Sequence, residues 1–196
     1  MSPPEVAARG KKRKRNTAQD ETDSVSRILI LESQVLESRR YYNNIVTILK
    51  RCWGQDTEPG DEDSTVAVVA LYRIFCRLMA LGKFAQPRDT TENEVTIVQW
   101  LNARYIEYKE MLLTTLSQGG SNKQSTALTL LMRLVKEEAT HLKLSEDVHW
   151  RTGTFSRVLK ALSDAVDPPE DIIDQFGQEY VRTYDDIRFY TFARFR

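Results

Sequence analysis

Cysteine, glycine, proline and long apolar runs are all scarce in this chain, and each scarcity removes a class of protein. Two cysteines in 196 residues, Cys52 and Cys76, are too few for a disulfide framework, and both fall inside expected helices. They read as reduced core thiols of a cytosolic or nuclear protein. No CxxC pair occurs, so a zinc site is not expected. Eight glycines and six prolines favour long helices over a turn-rich β fold. The longest apolar runs, Ile28–Leu31 and Val66–Tyr72, are far too short to span a bilayer. The charged N-terminus is followed by no apolar segment of the secretory-signal kind.

What is present is ordinary globular composition, 41% apolar and 29% charged, with a formal net charge of zero. That zero combines unlike parts. Residues 1–23 carry six basic side chains and four acidic ones; removing them from the 28 of each sign leaves 22 basic and 24 acidic, a net of −2. The folded part is therefore not a basic nucleic-acid-binding body. Residues 1–24 read as a disordered basic tail, because nothing in them can be buried to offset the entropy of ordering. Within the tail, Lys11, Lys12, Arg13, Lys14 and Arg15 form one run. Such a run suits the acidic groove of an import receptor, or the phosphates of RNA, better than a solvated tail with no reader.

Residues 25–196 read as a helical repeat-like domain. Ser24 is an expected N-cap for a first helix whose seam is Ile28, Leu31, Val35, Ser38, Tyr42, Ile45 and Leu49, ending near Trp53-Gly54. An acidic loop with Pro59-Gly60 follows. Ser64 is the expected cap of a second helix, Thr65–Leu81, with Val66, Val69, Ala70, Ile74, Leu78 and Leu81 inward, Arg73 and Arg77 at its edge and Gly82 as its stop. A third, Glu92–Ser117, carries Ile97, Leu101, Tyr105, Tyr108, Leu112 and Leu116 on one face over about seven turns. Gly119-Gly120-Ser121 breaks it and starts a fourth, to about His141, with Leu128, Leu131, Leu134 and Val135 inward. A fifth begins at Thr152 or Thr154 and carries Phe155, Val158, Leu159 and Leu162. Pro168-Pro169-Glu170-Asp171 suits the first turn of a sixth, and a short seventh follows Asp185. The expected class is all-α: antiparallel helix pairs forming an irregular HEAT-like α-solenoid or bundle. No fixed-period repeat is visible. The aromatic residues Phe189, Tyr190, Phe192 and Phe195 close the chain without a cap, which suggests the start of a longer protein.

Catalytic spacing signals are absent. Glu138-x-x-His141 has the spacing of one di-iron ligand pair, but such bundles need the motif twice, and a histidine favoured by the helix C-terminus is the better reading. Gly119-Gly120-Ser121 lacks the lysine and preceding strand of a phosphate loop. No catalytic residue, metal or cofactor is expected. Tyr41 and Tyr42 sit on adjacent helix faces, so only Tyr42 can continue the seam, and Tyr41 is free to meet a neighbour or partner. Tyr184, Asp185, Asp186, Arg188 and Tyr190 form a second candidate interface, with Asp185 as the expected N-cap and paired to Arg188.

Three blocks carry a resemblance. Leu31–Asn44 (LESQVLESRRYYNN), Ala127–Glu138 (ALTLLMRLVKEE) and Tyr184–Phe189 (YDDIRF), with Trp150, resemble the N-terminal helical region of fungal members of the nucleolar complex protein four family, within the Noc/CCAAT-binding-factor-related proteins. The resemblance covers most of residues 28–196 and rests on helical blocks rather than a catalytic signature. It implies an α-helical repeat protein of the nucleus and nucleolus, without enzymatic activity, that acts in small-subunit ribosome biogenesis. It further implies pairing with nucleolar protein fourteen and other pre-ribosomal particle proteins. The family's Noc/CCAAT-binding-factor domain is absent from this chain. The competing expectations are a nuclear transport or transcription adaptor that binds peptide motifs, and an RNA-binding module, which the −2 charge of the body disfavours.

Overall fold

A computed structural model describes residues 23–52, 62–85, 91–164 and 170–194, and among these every regular element is helical. Lys11, Lys12, Arg13, Lys14, Arg15, the Trp53-Gly54 stop, the Pro59-Gly60 turn, Pro168-Pro169 and Phe195 lie outside the described residues. The chain divides into two compact units, Met1–Ile74 and Phe75–Arg196.

The first unit holds α1 (residues 23–37), a 3₁₀ turn at Arg39–Tyr41, α2 (Asn44–Leu49) and the first part of α3 (Glu62–Ala80). Ile28, Val35, Tyr42, Ile45 and Ile48 are buried. The expected single first helix is broken at its one polar seam position: Ser38 is extended (φ −152°, ψ 142°) and ends α1. Asn44 Nδ2 donates across the break to Gln34 Oε1 at 2.8 Å. Ser24 is not the cap. It lies inside α1, and its hydroxyl accepts from Arg51 Nη1 at 2.9 Å. Arg73, expected at an edge, forks onto Glu32 with two bonds of 2.6 Å, the geometry in which a guanidinium fits a carboxylate best.

α3 also differs from its expected seam. Ser64 is buried inside the helix, and Ala67, Val68, Ala70, Leu71, Ile74, Phe75, Leu78 and Met79 are the buried residues. Val66 and Val69 are only half-buried and Leu81 is exposed, so the buried stripe is wider than one seam and turned from it. Gly82 does stop the helix. Its φ of +68° is one that side chains rarely adopt, and it lets Lys83 N reach back to Leu78 O at 2.9 Å.

The second unit is built on α4 (Glu92–Gln118) and α5 (Ser121–His141). Thr91 caps α4: its hydroxyl accepts from Glu94 N and donates to the Glu94 carboxylate at 3.4 Å. Two glycines separate the helices, which run antiparallel: Gln124 Nε2 meets Leu116 O near the turn, while Glu138 meets Tyr105 far from it. Gly119 is required at the turn, since a Cβ there would stand 2.5 Å from the Thr115 carbonyl oxygen. Leu101, Tyr105, Tyr108, Leu112 and Leu116 of α4, and Leu128, Leu131, Leu134 and Val135 of α5, are buried as expected. Phe75, Phe84, Tyr105 and Tyr108 pack as one aromatic cluster with centroids 5.2–6.4 Å apart.

A π-helical turn, Val148–Thr152, leads into α6 (Thr154–Asp164), where Phe155, Val158, Leu159 and Leu162 are buried. α7 (Glu170–Phe176) lies along α5 in the same direction, because Asp171 accepts from Ser121 and Gln175 meets Ser125 and Thr129. A second π turn, Gly177–Val181, precedes α8 (Asp185–Arg194). Asp185 is the first residue of α8 rather than its cap. Its pairing to Arg188, at 2.7 Å, is present as expected.

Candidate interaction surface

The buried polar centre of the second unit is Glu138. Its Oε1 accepts from Tyr105 Oη (2.7 Å), Lys109 Nζ (2.7 Å) and Thr154 Oγ1 (2.9 Å). Lys109 also donates to Thr154 Oγ1 at 3.0 Å and stands 4.5 Å from the centre of the Tyr105 ring. One carboxylate thus ties α4, α5 and α6. Burial, then the Glu138 charge, pushes the Tyr105 hydroxyl well above its ordinary pKa, so it serves as a fixed donor. His141, three residues on, faces Glu137 at 3.4 Å instead. Glu138 therefore works as an ion-pair partner, and its position one turn beyond Leu134 and Val135 on the inward face of α5 was the signal for it. Cys52 is equally structural: buried, with Sγ donating to Ile48 O at 3.5 Å and its pKa pushed up to about 12 by burial.

An aromatic chain seats α8. Trp150, in the first π turn, stacks on Tyr190 (4.9 Å, 7° between planes) and meets Phe155 edge-on at 5.1 Å. The Tyr190 hydroxyl donates to Glu146, which raises the Tyr190 pKa. Ile187 and Thr191 are buried, and Arg194 Nη1 donates to Ser156 Oγ at 2.7 Å. Gly153 makes the tight passage from π turn to α6, since a Cβ would meet the Val148 and His149 carbonyl oxygens at 2.5 and 2.8 Å.

Of the expected interface residues, Tyr184, Asp185, Asp186 and Arg188 are exposed, while Tyr190 is half-buried and belongs to the seat. Tyr41 is half-buried in the 3₁₀ turn of the first unit, with no element shared with the α8 group. Phe189 and Phe192, read from sequence as part of an aromatic end and, for Phe189, as the close of the Tyr184–Phe189 block, are the most exposed large apolar side chains among the described residues, at 64% and 60%.

A family model described as nucleolar complex protein 4-like, TPR repeats, matches residues 17–196. The chain belongs to the nucleolar complex protein 4-like TPR-repeat family. No curated protein and no solved structure matches it. TPR units are helical hairpins of ~34 residues. In this member of the nucleolar complex protein 4-like family the α4 and α5 helices alone have 27 and 21 residues, more than a unit of that length holds.

His149 gives the α8 seat a pH signature. It is buried beside Trp150, its Nδ1 has no hydrogen-bond partner, and burial lowers its pKa against the opposing pull of Glu138 and Asp186. On acidification the unfolded chain takes up this proton first, near pH 6.5. The stability due to neutral His149 is therefore present above that pH and lost as pH falls through the lower folded value. Denaturant unfolding of His149→Gln from pH 7.5 to 5 is expected to show a shallower decline than the parent chain; parallel declines would rule this out.

Proposed function

We propose that this chain is a structural assembly factor in small ribosomal subunit biogenesis: a protein-binding helical scaffold of the nucleolar pre-ribosomal particle, serving pre-rRNA processing and 40S maturation. The family match across residues 17–196 carries the reading. The chemistry of the second unit agrees, because among the described residues its buried Glu138 cluster is spent on tying helices together and its most exposed large apolar side chains lie on one helix. The scaffold has no catalytic role in this reading. It binds nucleolar protein fourteen and other particle proteins and resides in the nucleus and nucleolus. Lys11–Arg15 serve import or a weak pre-rRNA contact. Purification of the tagged full chain from nuclear extract tests the proposal. Early small-subunit precursor rRNA must be enriched over large-subunit precursors; recovery of importins or transcription factors alone would favour the adaptor reading.

A further inference from the structure

α8 divides its circumference into a seated side, an apolar side and two unlike edges. At ~100° per residue, Ile187, Tyr190, Thr191 and Arg194 share the seated side, where their contacts to the rest of the unit lie. Asp185, Phe189 and Phe192 share the opposite side, and the two phenylalanines, three positions apart, form an outward aromatic ridge. One edge carries Arg188, already engaged by Asp185. The other carries Asp186, one turn before Tyr190, whose hydroxyl donates to Glu146. Arg151, which also acts on Tyr190, is paired with Asp147 at 3.2 Å, and among the described residues neither Asp186 nor Glu146 makes an ion pair, so negative charge is in excess along this edge.

We infer that the outward face of α8 docks a basic amphipathic α-helix of a protein partner. This rests on the scaffold reading and names the chemistry of the partner at that site. Apolar side chains at i, i+3 and i+4 of the partner pack against Phe189 and Phe192, and its lysines or arginines run along the Asp186–Glu146 edge. Helices dock in this way by an apolar stripe, with flanking charge setting orientation and partner choice. The Trp150–Tyr190 stack and the Arg194–Ser156 bond hold α8 in place beforehand, which lowers the ordering cost of binding. Exposed aromatic side chains on a rigid helix are the kind that dominate interface energies. The acidic edge repels phosphate, so nucleic acid is the wrong occupant.

The probe is a fluorescent helical peptide with leucines at i, i+3, i+4 and i+7 and lysines along one edge, titrated against the purified full chain. Two controls keep the leucines but exchange lysine for glutamate, or scramble the order. The lysine peptide is expected to bind best, and Phe189→Ala with Phe192→Ala to weaken it by about tenfold or more. Asp186→Asn is expected to weaken it by a smaller factor that high salt abolishes. Unchanged melting of the variants confirms that the fold is intact. Equal binding of the scrambled peptide, or indifference to the phenylalanines, overturns the inference. So does a self-associated chain whose dimer is lost on the same substitutions, because a second copy would then be the occupant. Peptide binding that fails while small-subunit precursor rRNA is still recovered removes the docking inference alone. Docking that persists while the rRNA is not recovered removes the assembly reading alone.

Discussion

Glu138→Ala should destabilise the second unit by about 3–5 kcal/mol, because it leaves Lys109, whose side chain is only 15% exposed, without its counter-charge. Glu138 is 3% exposed, and its Oε1 is the acceptor for Tyr105, Lys109 and Thr154 together. The alanine removes the shared acceptor of an ammonium and two hydroxyls in one step, leaving Lys109 only its bond to Thr154 Oγ1. For a domain of this size the loss corresponds to roughly 10 °C in melting temperature. Lys109→Met in the Glu138→Ala background should raise stability rather than lower it further, since the stranded charge is then gone. Denaturant titration of the two variants decides this. A single variant within 1 kcal/mol of the parent, or a double variant weaker than the single, would show that the cluster does not hold α4, α5 and α6 together.

The second large effect is expected at Phe155. Its ring is fully buried, it follows Thr154 of the Glu138 cluster, and Trp150 rests edge-on against it. Phe155→Ala should cost about 3–5 kcal/mol, the range for a buried aromatic whose site collapses only in part. The consequence should spread unevenly. Trp150 loses a wall, so its stack on Tyr190 loosens, and α8 loses the support of its aromatic seat. Amide exchange should therefore accelerate in α8 by a larger factor than in α5, whose core leucines remain. Uniform acceleration across the unit would mean that Trp150 and Phe155 do not separately support α8.

The sequence made the helices of the second unit legible because periodicity and punctuation agree there. Gly119-Gly120 breaks a 3.6-residue pattern that is strong on both sides, and Glu170-Asp171 opens α7 where acids are favoured. The first unit was harder to read. Ser38 occupies a seam position, and one polar residue in an apolar stripe is the same signal whether the helix bends, breaks or continues. The extended backbone of Ser38 ends the helix there. In α3 the apolar residues cover so much of the surface that no single seam is favoured, and tertiary packing chose Ala67, Leu71 and Phe75 where local pattern suggested Val66 and Val69.

The site residues divide along the same line. Asp185–Arg188 was visible as a local i, i+3 pair. The seating of Tyr190 on Trp150 joins residues 40 positions apart, and no local pattern carries it. The exposure of Phe189 and Phe192 follows from that seating: once Ile187, Tyr190 and Thr191 turn inward, helical geometry places the two phenylalanines outward.

The central claim, a scaffold of small-subunit precursor particles, is tested most directly by sedimentation of nuclear extract containing the tagged full chain, with precursor rRNA measured in every fraction. The expected result is co-migration of the chain with early small-subunit precursor rRNA, and a shift to the top of the gradient when that rRNA is digested. A chain that migrates free before digestion, or that follows large-subunit precursors, would contradict the claim.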